Sequence, residues 1–374
     1  LASGAYAQET IKIGVLTPLS GTYAGIGQQV RWGIDQSVEE INAAGGIAGR
    51  QIELVYEDSE ANPAVAVTKA EKLFTVDNVD FLTGTVNSGA TLAVGQVADR
   101  ADKLIATTVS FSDAITGSGC SPNVFRVNAR AGQQSVALAA WLKQEKPGAK
   151  VYYLGPDYEM GRSTVAAFKE RAESVGATST GEVFAPLDSK DYSQYFGQLR
   201  AARPDVLYTS VAGNDTVRLF TQMNDFGVSD GLTILGASGT VTAQNINAIG
   251  AAAEGFITGV GYSVLIDSPE NKAFTEAFRE RNGADPDLYG ADSYGLLFAY
   301  KAAVEAAGAT DTDSVRASLE GLSWDTPQGT KTIRAGDHQA MQPMYVVEVK
   351  NGQFTIARSI AAEDAIGPDT CDKF

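Results

Sequence analysis

The chain opens with TIKIGVLTPL (10–19), a β-branched, apolar run that ends at the turn residues Ser20 and Gly21. Behind it Val30, Ile34, Val38 and Ile41 recur at spacings of four, four and three, the period of a helix with one buried face. Gly45 and Gly46 stop that helix, and QIELVYED (51–58) restarts a strand. Asn62-Pro63 then supplies a cap and a first-turn proline ahead of AVAVTKAEKLF. VDFLTGT (79–85) reads as the next strand, followed by a helix from about Gly89 and a strand at KLIATTV (103–109). Strands alternating with helices of this length, joined by short loops, predict a parallel sheet covered on both faces.

After FRVN (125–128) the alternation begins again. Strands are expected at 150–155, 180–185, 205–210 and 233–237, with helices near 131–145, 161–176, 191–202 and 214–226. GFITGVGY (255–262) is extended and glycine-rich, and helices follow near 269–282 and 291–307. At 374 residues the chain exceeds one comfortable core but leaves too little for a third domain. The late segments must therefore complete earlier ones, which assigns 9–126 with 257–330 to one lobe and 127–256 with 331–374 to the other. Repeated crossing between lobes is the arrangement of a hinge that closes on a ligand.

Composition narrows the function classes. Hydrophobic residues make up 44% and charged residues 20%, as in ordinary globular proteins. A formal net charge of −16 disfavours nucleic acid, whose affinity for proteins rests on Lys and Arg. No apolar run is long enough to span a bilayer. Ala5-Tyr6-Ala7 followed by Gln8 has the small-x-small form of a signal-peptidase site, so export with cleavage near Ala7 is expected and residues 1–8 are set aside as a leader remnant and flexible terminus. In an oxidising compartment the two cysteines, Cys120 and Cys371, are an even number that permits one disulfide, tying the C-terminal tail to a mid-chain loop.

Catalytic and cofactor chemistry finds little support. His338 is the sole histidine, and in AGDHQAMQP it reads as structural or exposed; two cysteines and one histidine are a poor metal set. No nucleophile elbow, Walker loop, dinucleotide fingerprint or zinc-protease helix is present. Parallel sheets bind ligands at the carboxyl ends of their strands, where helix N-termini favour anions. That rule selects Asn87 and Ser88 in GTVNSGATLAV as carboxylate contacts, with Thr108, Val109, Ser110 and Phe111 in the next loop opposite them. In the second lobe it selects GPDYEMGRS (155–163), SVAGND (210–215) and GASGT (236–240), with Tyr158 covering the ligand and Arg162 a helix-surface charge.

These stretches, together with INAAGGIAGR (41–50), PNVFRV (122–127) and DPDLYGADSYGLLFAY (285–300), resemble the type I periplasmic binding proteins, specifically the leucine/isoleucine/valine-binding family of ABC importers. The resemblance implies two Rossmann-like lobes joined by three strands, a monomer in the periplasm, and delivery of ligand to an inner-membrane permease. It also implies that Ser88 and the 109–111 loop hold a ligand carboxylate, and that Tyr23 and Tyr289 border the pocket. Where amino-acid binders of the family place an acid for the ligand ammonium, this chain has Ser238; Met160 and Ala212 fall where the family has tyrosines. Asp215 and Asp292 are the remaining candidates to meet an ammonium, since one buried without a carboxylate is costly. The ligand expected is a non-amino organic acid with an apolar or aromatic body. An amino acid is the alternative within the family, and a ligand-sensing regulator is the alternative of another class.

Overall fold

The computed structural model describes residues 10–374, so the proposed cleavage site at Ala5-Tyr6-Ala7 lies outside the described residues. The first lobe follows the sequence pattern closely. It runs β1 (Ile11–Thr17), α1 (Ala24–Ala43), β2 (Ile52–Asp58), α2 (Pro63–Thr75), β3 (Phe81–Thr83), α3 (Ser88–Ala101), β4 (Leu104–Thr107) and β5 (Val124–Arg126). These strands form a parallel sheet in the order β2-β1-β3-β4-β5. Val30, Ile34, Val38 and Ile41 of α1 all face the core. Gly46 turns the chain after α1 with φ +81°, and a Cβ there would meet the Arg50 carbonyl at 2.0 Å, so only glycine fits. Asn62 caps α2 by accepting from the Ala64 and Val65 amides, with Pro63 in the first turn.

The second lobe comprises α4 (Ala131–Glu145), β6 (Lys150–Pro156), α5 (Glu159–Ser174), β7 (Thr178–Ala185), α6 (Ser193–Ala202), β8 (Val206–Thr209), α7 (Asn214–Asp225), β9 (Thr233–Gly236), the single turn α8 (Ile246–Ile249) and β10 (Ile257–Val260). The chain then returns to the first lobe as α9 (Pro269–Asn282), α10 (Leu288–Ala307), α11 (Thr312–Leu319) and an antiparallel three-stranded sheet of β11 (Ser323–Thr326), β12 (Gly329–Ile333) and β13 (Ala340–Met341). α10 packs along α1, and Ile333 and Ala340 share the core of β1 and α1. A last crossing delivers β14 (Met344–Lys350), β15 (Gln353–Ile360) and α12 (Ala362–Ala365) to the second sheet, whose order is β15-β14-β10-β9-β8-β6-β7. β14 and β15 are antiparallel additions to an otherwise parallel sheet.

The chain thus passes between the lobes three times, after β5, after β10 and before β14. Two of these segments touch directly through a bridge between Arg126 and Gln339. The expected disulfide is formed, with Cys120 and Cys371 Cα atoms 5.8 Å apart, and it returns the tail to the first lobe. Guanidinium groups hold that tail: Arg130 donates to the carbonyls of Ile366 and Pro368, both at 2.8 Å, and Arg334 to Gly367 at 2.8 Å. His338 is structural and fully buried, its ring stacked on Phe125 at 3.9 Å.

Candidate functional site

The anion-facing wall is built by α3 and the loop after β4. Asn87 caps α3, its Oδ1 accepting from the Ala90 amide at 3.1 Å while Nδ2 donates to the Ala61 carbonyl at 3.0 Å. Its side chain is spent on the fold. Ser88, the first residue of α3, is fully buried, and its Oγ accepts from the Ser112 amide at 3.2 Å, which leaves the hydroxyl proton to donate. In the facing loop the Val109 and Ser110 amides both donate to Thr107 Oγ1. The Ser110 hydroxyl lies 2.6 Å from Thr91 Oγ1 and also reaches the Thr85 and Val86 carbonyls, so it points into its own lobe. Thr108 likewise bonds Ser293. The Phe111 amide has no protein partner among the described residues.

What fixes that amide is Arg126. It is fully buried and donates from Nη1 to the carbonyls of Ser110, at 3.2 Å, and Ser112, at 2.5 Å. Nε donates to Gln339 and Nη2 to Thr116. In a trans peptide the carbonyl and the following N–H point opposite ways, so drawing the Ser110 carbonyl toward Arg126 turns the Phe111 N–H away from it. Burial lowers Arg126 to about 9, which still leaves it charged at neutral pH, and no carboxylate ion-pairs it among the described residues. The Ser88 hydroxyl, the free amides of the first turn of α3 and the Phe111 N–H therefore form an anion-binding wall backed by a buried cation that feels Asp113 and Asp337 only at a distance.

The rest of the site is aromatic. Phe111 and Tyr289 stack with centroids 6.2 Å apart. Tyr23 and Tyr158 come from opposite lobes and share a hydroxyl–hydroxyl hydrogen bond of 2.8 Å. Met160 and Ala212 of the second lobe join Tyr23, Val109, Phe111 and Tyr289 in a single buried cluster. Burial raises the phenol pKa of Tyr23, Tyr158 and Tyr289, so all three stay neutral. Two glycines allow the approach. A Cβ on Gly239 would stand 1.8 Å from the Tyr289 hydroxyl, and one on Gly213 2.8 Å from the Tyr23 ring. Further bonds join the lobes: Ser112 Oγ to Glu159 at 2.6 Å, the Asp113 amide to Ser163 at 3.1 Å, and Thr22 Oγ1 to Asp188 at 2.8 Å.

The acids that sequence reasoning held ready for an ammonium are engaged elsewhere. Asp215 accepts from the Asp188 amide at 2.8 Å and pairs with Arg218. Asp292 is buried against Lys331 and accepts from Gln328 at 2.8 Å. Burial pushes this carboxyl up and the lysine down, while their pairing opposes both shifts. The Ser238 hydroxyl donates to the Gly259 carbonyl at 2.5 Å, so its side chain is committed within its own lobe. Arg162 is the expected surface charge, bonded to Asp157.

Sequence reasoning did not single out Arg126, Glu159, Gly213 or Gly239. Arg126 stands in PNVFRV, where a lone arginine between apolar residues of a short strand is itself a sign of a buried, fully bonded guanidinium.

Two lobes, three crossings and an anion wall facing aromatics between them are features of solute receptors, and the comparison with known sequences decides the matter. Residues 10–353 match the periplasmic binding protein family. The chain belongs to that family. More specifically it is a type I periplasmic binding protein of the branched-chain amino acid group, a solute-binding protein of ABC transporters. Leu/Ile/Val-binding protein homolog 3 of Brucella melitensis is 28% identical over 335 residues, covering 88% of each chain. A Rhodopseudomonas palustris solute-binding protein solved with 4-hydroxybenzoate is 27% identical with a TM-score of 0.87, covering 94% of this chain and 97% of that one. An ABC-type branched-chain amino acid transporter protein from Rhodopseudomonas palustris is 25% identical with a TM-score of 0.79, covering 97% and 100%. The family's members are receptors rather than enzymes.

Proposed function

We propose that this receptor captures a small organic acid without an α-amino group, with an aromatic or otherwise planar body, and hands it to an inner-membrane permease. The observation that carries this reading is the state of the acids. Asp215 and Asp292 are both paired, and the position where an ammonium partner is expected is Ser238, whose hydroxyl is bonded to Gly259. A buried ammonium would lack a counter-charge there, whereas the Ser88 wall still suits a carboxylate. Stacked Phe111 and Tyr289 match a planar body, because rings supply contact area at little entropic cost. A structural neighbour bound to 4-hydroxybenzoate supports the same class.

In this reading the ligand sits between residues Tyr23, Ser88, Phe111 and Tyr289 of one lobe and Tyr158 and Met160 of the other, and the three crossings act as the hinge. A branched-chain amino acid is the second reading, favoured by the Brucella relative and by the other Rhodopseudomonas neighbour. A thermal-shift panel separates them, since a ligand that binds only the native state raises the midpoint according to its affinity. Benzoate-type and 2-keto acids should stabilise the protein and leucine or valine should not. Stabilisation by the amino acids alone would restore the second reading.

A further inference from the structure

We propose that Glu159 is a positioning residue for ligand capture: reaching from the second lobe, it takes the hydroxyl of Ser112 and so fixes the residue whose amide sets Ser88, which completes the carboxylate wall only when the lobes meet. The inference rests on the reading that Ser88 holds a ligand carboxylate. Glu159 is the first residue of α5, directly after Tyr158, whose hydroxyl meets that of Tyr23. A Cβ on Gly89 would stand 3.9 Å from the Glu159 Cβ, so the start of α5 lies against the first turn of α3.

Ser112 is fully buried, and each of its polar groups is engaged. Its amide donates to Ser88 Oγ at 3.2 Å, and its carbonyl accepts from Arg126 at 2.5 Å and from the Ile115 amide at 3.3 Å. Its hydroxyl accepts from the Ala114 amide at 3.2 Å and donates to Glu159 Oε1 at 2.6 Å. Of these partners Glu159 alone belongs to the second lobe. Among the described residues the Glu159 side chain makes no other hydrogen bond and no ion pair. The next residue adds a second tie, the Asp113 amide donating to Ser163 Oγ of α5 at 3.1 Å. A hydroxyl has one proton to give, so with the lobes apart Ser112 must turn it to water or to another acceptor. The bond to Glu159 therefore ties lobe closure to the residue that positions the Ser88 hydroxyl. The Tyr23–Tyr158 and Thr22–Asp188 bonds also span the cleft, but neither touches a group of the wall. A bond formed only in the closed state adds to ligand affinity, because ligand binding selects that state.

Calorimetry on the whole chain tests this with benzoate, 4-hydroxybenzoate, leucine and valine as probes. It compares wild type with Glu159→Ala, Glu159→Gln, Ser112→Ala, the Glu159→Ala and Ser112→Ala double variant, and Ser88→Ala. Every probe carries a carboxylate, so the result does not depend on which ligand class binds. For a probe that binds, Glu159→Ala should weaken affinity at least about tenfold, the scale of a hydrogen bond to a charged group, while the melting temperature without ligand changes little. Glu159→Gln keeps an acceptor oxygen and should return affinity to within about threefold of wild type. In the Ser112→Ala background Glu159→Ala should cost no more than about twofold, because the bond is already gone. An affinity in Glu159→Ala within about twofold of wild type, a Glu159→Gln as weak as Glu159→Ala, or an undiminished loss in the Ser112→Ala background overturns the inference. Ser88→Ala separates it from the reading beneath it. Wild-type affinity in that variant, or no binding of any probe to wild type, overturns the carboxylate reading and the role of Glu159 together.

Discussion

At the level of single residues the site divides into groups that touch the ligand region and groups that aim them. Ser88→Ala removes a hydroxyl donor from the carboxylate wall and should weaken binding by roughly 1–3 kcal/mol with little change in the fold, measurable by calorimetry. Arg126→Met should act differently. It strips a charged donor from the buried Ser110 and Ser112 carbonyls, leaving them only the Asn128 side chain and the Ile115 amide respectively; a hydrogen bond to a charged group is worth about 1.5–3 kcal/mol, so both the melting temperature and the affinity for carboxylates should fall. Asp287 gives a pH signature. Its folded value of about 7, raised first by burial and further by Asp292 against the helix amides that lower it, stands above its unfolded value of about 3.9. Its ionisation therefore opposes folding; the penalty is absent below about pH 4, grows toward pH 7 and is constant above. The stability gain of Asp287→Asn over wild type should follow that curve, and a pH-independent difference would contradict the burial. Ser88, Phe111 and Tyr289 were legible because helix N-termini and strand-end loops obey general rules. The fates of Ser110, Ser238, Asp215 and Asp292 were not, since the partner a polar side chain takes is set by how the whole chain packs around it.

Among the elements, the loops that meet across the cleft matter more than the helices behind them. Gly239→Ala places a methyl where the Tyr289 hydroxyl lies, so the lobes must stay apart or the ring must move. Ligand affinity should fall at least about tenfold while the melting temperature without ligand changes little, because a clash met only when the lobes close weakens binding rather than folding. Apart from the single turn α8, the strands and helices up to β10 were readable from period and turn residues, and the start of α2 from the Asn62-Pro63 cap. The β11–β13 sheet escaped notice: its strands are two to five residues long and carry Ser323, Thr326, Thr330 and Thr332 in place of an apolar alternation, and they are held by Trp324 donating to the Gly295 carbonyl at 3.0 Å, a contact no local pattern announces.

For the molecule as a whole, the excess of length over two α/β units pointed to repeated crossing, and the even cysteine count to the disulfide. Replacing Cys120 and Cys371 with serine should cost about 2–4 kcal/mol of stability, seen as a lower denaturation midpoint, because the cross-link closes a long loop in the unfolded chain. An unchanged midpoint would mean that the Arg130 and Arg334 contacts anchor the tail unaided. The bond has a further consequence. Cys120 precedes the second lobe and Cys371 follows it, at a separation of 251 residues, so that lobe lies wholly inside a covalent ring. A protease that cuts an exposed turn there, such as the one at Gly227, would open the ring without releasing a fragment. The nicked receptor would migrate as one chain until a reductant divided it in two.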